Sequence, residues 1–260
     1  VDRMERLKRN LKYINAVSAV MPPLVLIIFI LLFWQLNCVI NNIPAWQLPK
    51  PSDIILAFFS EFTETLPYLA STYFNIIIGF ILSVAIGIVL ALILTNSRIL
   101  SMALTPLIVI LCCVPMVTLV PLFLVSMGIG SGPKILTIII QCFPIVNMNA
   151  CVGFANVDPS RIELMESMKA TKVQMYRYCI FRDAMPSIFT GIKLASVLAM
   201  IAGISAELCG GSGGLGNQIS TLISYSKTPE AFGNLIFVII LGMVLYYFVS
   251  FLEKKLTKGM

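Results

Sequence analysis

Histidine is absent from all 260 residues. That absence removes imidazole acid–base catalysis, Ser-His triads and imidazole metal ligation. Charge is scarce as well: 12% of residues are Asp, Glu, Lys or Arg, about half of the roughly 25% found in soluble domains. The seven cysteines (Cys38, Cys112, Cys113, Cys142, Cys151, Cys179 and Cys209) form no CxxC pair. Most lie in or beside apolar runs, where free cysteine packs as a small hydrophobe. No disulfide framework, metal site or catalytic constellation is expected.

What fills the chain is apolar. Hydrophobic residues make up 58% of it, and the mean hydropathy is +0.95. The net charge of +6 does not point to nucleic acid, because the basic residues cluster beside apolar segments. A basic start followed by an apolar run resembles a secretory leader. The run is long for one and no small-x-small cleavage pattern follows it, so a retained membrane anchor is expected.

A spanning helix needs about 20 mainly apolar residues. Six runs qualify: 19–40, 72–95, 100–127, 135–154, 187–208 and 232–252. The fold class is therefore an all-α polytopic membrane protein, a single transmembrane domain over 1–260. Fourteen basic residues before, between and after these spans fall on one side. Lys50, Lys134 and Lys227 fall on the other, and Lys193 lies inside the fifth span, near its inner end, where a snorkelling side chain is expected. This bias puts both termini, the segment 1–18 and the loop 155–186 in the cytoplasm, and the loops 41–71 and 209–231 outside.

Within the outer loops, Leu48-Pro49-Lys50-Pro51-Ser52 leads into an amphipathic helix expected over Asp53 to Thr65. The Gly210–Gly216 run imitates a phosphate-binding loop, but Asn217 and Gln218 stand where Lys and Ser/Thr are needed, and a helix rather than a strand precedes it. A flexible turn at the membrane surface is expected there. Pro106, Pro115 and Pro121 fall in the third span and Pro144 in the fourth. Each removes a backbone donor and bends its helix, either simply for packing or because these spans line a pathway. Glu207, at the outer end of the fifth span, is an acid at the hydrocarbon edge. It is either a pathway group or a capped, snorkelling one. The candidate pathway residues are thus Pro115, Pro121, Pro144 and Glu207.

The island Asp158–Asp183 carries two helix-start patterns. Asp158-Pro159 suits a first turn, and Ser160 with Glu163 forms a capping box. Thr171 with Gln174 forms another, so a second short helix is expected from Lys172, after a bend at Lys169-Ala170-Thr171. Met175, Tyr176, Cys179 and Ile180 share its apolar face. An ordinary solvated loop is the plainer alternative.

Here the residues resemble the inner-membrane permease subunits of bacterial ATP-binding-cassette importers. The cytoplasmic loop of that family reads EAA, three residues, G, nine residues, I-x-L-P. Glu163-Leu164-Met165 stands at its start with the glutamate kept, Lys169 at its glycine, Cys179 and Phe181 at its apolar positions, and Arg182 at its proline. Pro186, Gly191 and Glu207 match further positions downstream. Pro106-Leu107, Pro115, Pro121-Leu122, Gly128-Ile129-Gly130, Leu48-Pro49-Lys50-Pro51 and Gly214-Leu215-Gly216 look most like the branch importing nitrate, sulfonates, taurine or bicarbonate, with relatives carrying pyrimidine vitamin precursors or riboflavin.

The resemblance implies a type I importer-like fold in the bacterial cytoplasmic membrane, a second permease copy (identical or not), ATPase subunits that hold ATP and Mg, and an extracytoplasmic solute-binding protein. It implies no cofactor in this chain, and it makes Glu163, Glu166, Lys169, Ala170 and Thr171 the ATPase-coupling contact. Where the family keeps glycine, Lys169 is expected to make the turn less free. A stand-alone secondary transporter or channel would instead show internal repeats or paired broken helices. A membrane enzyme would show a cluster of acids, serines or metal ligands. Neither pattern stands out.

Overall fold

The computed structural model describes residues 2–210 and 212–258, with side chains from Met21 onward. The basic side chains Arg3, Arg6, Lys8, Arg9 and Lys12, and Gly211 of the glycine run, lie outside the described residues. Every regular element among the described residues is helical. In chain order these are α1 (Asp2–Ile40), α2 (Pro51–Ser60), α3 (Phe62–Asn96), α4 (Arg98–Cys113), α5 (Met116–Met127), α6 (Ser131–Ala155), α7 (Pro159–Ser167) and α8 (Lys172–Met175). A π-helical turn (Tyr176–Ile180) then leads into α9 (Phe181–Leu208), followed by α10 (Leu215–Ser224) and α11 (Thr228–Thr257). Five helical stretches are long and apolar enough to cross a membrane, or six when α4 and α5 count as one span.

That pair is where the expected third span differs. It breaks at Val114–Pro115, and its halves meet at 97°. Proline pushes the residue before it out of the helical region, and Val114 is extended at φ −76°, ψ 123°. Pro106 and Pro121 stay inside their helices, so only Pro115 ends one. The amphipathic helix expected from Asp53 to Thr65 also divides: α2 stops at Ser60, and residues from Phe62 belong to α3. The helix that carries the fifth span begins earlier than the span itself, because α8, the π turn and α9 run on as one continuous helical stretch of 37 residues from Lys172.

The chain forms two compact units. In the unit of residues up to Glu61 with Leu222–Gly233, Gln35 and Ser52 exchange two hydrogen bonds of 3.2 Å between α1 and α2. Trp34 packs edge-on against Phe232, and the Thr228 hydroxyl donates to the Trp46 carbonyl at 2.7 Å.

The unit of Phe62–Thr221 with Asn234–Met260 is built on α3, α6 and α9. Its core joins Ile76, Phe80, Ile138, Val146, Ala195 and Ala199. Lipid-soluble helices gain nothing from hydrophobic burial against each other, so close packing of small residues has to hold them together. In α3, Gly79, Ser83, Gly87 and Ala91 recur at every fourth position, and all are buried. A Cβ on Gly79 would lie 2.7 Å from the Ile138 Cβ, and one on Gly87 would lie 2.9 Å from the Phe143 carbonyl oxygen. The Asn147 amide seals the same seam, donating to the Gly87 carbonyl at 3.1 Å. Gly87→Ala is therefore expected to destabilise by about 1–3 kcal/mol, since backbone rather than a flexible side chain must yield. A thermal transition in detergent unchanged from wild type would contradict that packing.

Two polar pairs fasten α11 to this unit. Thr65 donates to the Asn234 side-chain carbonyl at 3.0 Å. Lys193 contacts Glu253 at 2.9 Å. Lys193 thus meets a carboxylate on α11, where the sequence alone suggested a snorkelling side chain.

Candidate functional site

The segment between α6 and α9 is a helix, a tight reversal and a second helix. Asp158, not Ser160, caps α7: its carboxylate accepts from the Ser160 backbone N–H at 2.9 Å and from the Ser160 hydroxyl at 2.7 Å. These donors, the hydroxyl first, hold the Asp158 carboxyl below the usual carboxylate range. The Ser160–Glu163 capping box does not form, which leaves Glu163 an exposed surface acid. The Thr171–Gln174 box does form. The Gln174 side chain accepts from the Thr171 N–H at 2.8 Å, and Thr171 Oγ1 accepts from the Gln174 N–H at 3.4 Å.

Between these caps, Lys169 has φ +54°. Its N–H donates to the Glu166 carbonyl at 2.8 Å, and the Ala170 N–H donates to the Met165 carbonyl at 3.0 Å. This pair of bonds around a left-handed residue is a Schellman closure. The reversal is thus fixed on both sides by hydrogen bonds. Glu163, Glu166, Lys169 and Thr171 are exposed and Ala170 is half-buried; Glu166, Lys169, Ala170 and Thr171 belong to the reversal and its cap, and Glu163 lies further back on α7. Exposed Leu164, Met168 and Val173 give the tip of the segment an apolar surface.

The tip is tied to the bundle below it. Arg161 on α7 pairs with Asp183 on α9. The Tyr176 hydroxyl donates to Asn96, at the end of α3, at 2.7 Å. Met175, Tyr176, Cys179 and Ile180 are the buried or half-buried residues of the second helix, and its π turn carries it directly into α9. The tip is therefore joined to α9 by one continuous helical stretch rather than by a loop.

At the opposite end of α9 lies a buried polar clasp. Lys134 on α6 and Glu207 are 2% and 1% exposed, with Nζ and Oε1 3.4 Å apart. The Lys134 ammonium also donates to the Ser212 and Gly213 carbonyls at 2.9 and 2.8 Å. Glu207 Oε2 accepts from the Thr72 hydroxyl at 2.8 Å and from the Gly216 N–H at 3.0 Å. The Thr72 oxygen in turn accepts from the Leu215 N–H at 2.8 Å. The glycine run is therefore held by α3, α6 and α9 and leads into α10, rather than forming a free turn. At Gly214, φ is +95° and a Cβ would strike the Glu207 carboxylate, so only glycine fits.

The four candidate pathway residues are not brought together. Pro115 and Pro121 are exposed, at and beyond the α4–α5 break, whereas Pro144 and Glu207 are buried. A cleft of about 600 Å³ does open between the end of α3, α4 and α6. Thr95, Arg98, Ser101, Thr105 and Asn147 supply its polar wall.

Residues 83–260 match the family described as the binding-protein-dependent transport system inner membrane component. The chain belongs to this family. It is a multi-pass permease subunit of the bacterial inner membrane, similar to relatives named for sulfonate, nitrate and taurine transport. A Bacillus subtilis permease named for aliphatic sulfonates transport, SsuC, is 29% identical over 92% of this chain and 87% of its own length. The nitrate import permease protein NrtB of Synechocystis is 26% identical over 97% and 94%. The taurine transport system permease protein TauC of Escherichia coli is 26% identical over 73% and 69%. Among solved structures, an amino acid ABC transporter aligns at TM-score 0.57 and 18% identity, covering 78% of this chain and 98% of that one, a likeness of fold.

In a permease of this family, Lys169 stands where the loop pattern has glycine, and the left-handed φ supplies the reason for glycine. A side chain in that region costs roughly 1–2 kcal/mol. Lys169→Gly is expected to relieve that strain and to return up to about 1 kcal/mol through the freer unfolded chain. The tip should end slightly more stable, read as slower amide exchange at 169 and 170. Faster exchange would show that lysine contributes contacts outweighing its strain.

Sequence reasoning missed Lys134 and Thr72 as partners of Glu207. Lys134 reads as an outer-surface charge, and nothing local announces a carboxylate 73 residues further along the chain.

Proposed function

We propose that this permease forms the membrane pathway of an ATP-driven importer as a dimer, with its Asp158–Asp183 segment docked on a cytoplasmic ATPase subunit. In this reading both termini and the segment are cytoplasmic, in keeping with the positive-inside bias. The carrying observation is the tip itself. Two capped helices closed by a Schellman reversal present Glu163, Glu166, Lys169, Ala170 and Thr171 on a rigid unit continuous with α9. ATP-driven closure of the ATPase pair pushes on these tips, and α9 carries the displacement into the bundle. ATP and Mg belong to those partner subunits, and an external binding protein delivers the solute.

The pathway lies along the α4–α5 face, with Pro115 and Pro121 at its bend and the Arg98 cleft at its inner mouth. Glu207 with Lys134 fastens the outer glycine run, and Pro144 shapes α6. The solute is a small organic or inorganic anion (a sulfonate, taurine or nitrate), as the named relatives suggest, or a vitamin precursor, as the family resemblance implies.

The test is reconstitution with the cognate ATPase and binding protein in proteoliposomes, measuring uptake of labelled sulfonate, taurine and nitrate. Uptake of at least one, dependent on both ATP and binding protein, is the expected result. Flux through the lone chain without ATP would overturn the reading in favour of a channel or secondary transporter.

A further inference from the structure

We propose that the groove beside the π turn is a binding site for an anionic phospholipid. The groove is an open one of about 660 Å³ between the end of α3 and the α8–π–α9 stretch. Its floor is apolar: half-buried Leu92, Phe181 and Met185 line it. Its remaining walls carry two cations, Lys172 and Arg177. Both are exposed, and neither has a carboxylate partner among the described residues. Arg177 lies over the Tyr178 ring, 5.6 Å from its centroid.

The position selects the occupant. α3 ends at Asn96, and Lys172, Arg177, Arg182 and Asp183 precede the apolar body of α9, so the groove lies at the charged end of both candidate spans. An acyl chain matches the floor, and a phosphate at the interface matches the two cations. Basic pockets between spanning helices hold anionic headgroups by this combination. A free phosphate would leave the apolar floor uncovered, and a zwitterionic lipid would bring its own cation against Lys172 and Arg177.

The Tyr176–Asn96 hydrogen bond holds the two walls of the groove together at its polar end. An occupant therefore braces the π turn, the joint between tip and span. The leaflet rests on the cytoplasmic orientation proposed above; the binding itself does not rest on coupling.

The test uses the assembled permease–ATPase complex equilibrated with phosphatidylglycerol and phosphatidylcholine of identical acyl chains. Lipid retained after purification is then counted by mass spectrometry. Each basic residue near an anionic headgroup adds about fivefold, so wild type is expected to enrich phosphatidylglycerol by roughly tenfold or more. Lys172→Gln with Arg177→Gln brings the ratio close to parity, and Lys172→Arg with Arg177→Lys keeps the enrichment.

Parity in wild type, or undiminished enrichment in the glutamine pair, would overturn the site. So would a Val173→Cys thiol that cross-links to the ATPase subunit, because the partner would then fill the groove. ATP-driven uptake is followed on the same samples. Its loss with lipid selection intact would count against the transport reading and leave the site standing.

Discussion

Lys134→Met is expected to cost about 3–5 kcal/mol of stability, the penalty for leaving a buried charge without its partner. The methionine fills a similar volume, so little of that loss is cavity. What remains is a Glu207 carboxylate 1% exposed, facing only the Thr72 hydroxyl and the Gly216 N–H, and two loop carbonyls stripped of their donor. Glu207→Gln alone is expected to be destabilising as well, because the ammonium keeps the Ser212 and Gly213 carbonyls but loses its counter-charge. The paired change Lys134→Met with Glu207→Gln should recover much of the loss. Glutamine still accepts from Thr72 and Gly216, and no net charge stays buried. Thermal unfolding of the four proteins in one detergent closes the cycle. A Lys134→Met chain as stable as wild type would mean that the pair is not formed, and strictly additive effects would mean that its members do not interact.

The clasp also shows where sequence reasoning stops. The helical class and the five or six spans follow from hydropathy alone, because the hydrocarbon demands long apolar helices whatever their partners. The Thr171–Gln174 cap was legible because both residues lie within one turn. The competing Ser160–Glu163 box had equal local support and lost, since Asp158, two residues earlier, already takes the Ser160 N–H. The 97° break at Pro115 was hidden because three prolines share one apolar run and hydropathy does not rank them. The division between α2 and α3 and the existence of α10 lie in segments of ten residues, too short for a hydrophobic period to fix their ends. Pairings such as Thr72 with Glu207, or Gly79 with Ile138, are set by how α3, α6 and α9 stack. The small-residue stripe Gly79, Ser83, Gly87 and Ala91 was a visible clue to that stacking that periodicity of hydrophobic residues passes over.

Ala170→Trp is expected to lower ATP-driven uptake by about tenfold or more, equivalent to at least roughly 1.4 kcal/mol at the rate-limiting step, while the partner ATPase continues to hydrolyse ATP. Ala170 closes the Schellman reversal through its N–H bond to Met165, and that bond does not depend on its side chain. A large ring there therefore keeps the backbone turn but displaces whatever docks on it. Lys169→Glu tests charge at the same tip: with Glu163 and Glu166 already exposed, the substitution leaves only acidic charge among the five proposed contact residues, and uptake is expected to fall while the fold persists. Lys169→Gly separates the two effects, because it removes the charge and relaxes the left-handed turn without adding bulk. If coupling depends on the shape of the turn, the glycine variant transports like wild type and the tryptophan variant does not. If it depends on the lysine charge, the glycine and glutamate variants fail together. Uptake unchanged in all three, with the ATPase still bound, would remove Lys169 and Ala170 from the coupling contact and leave exposed Leu164 and Met168 as the part of the tip to test.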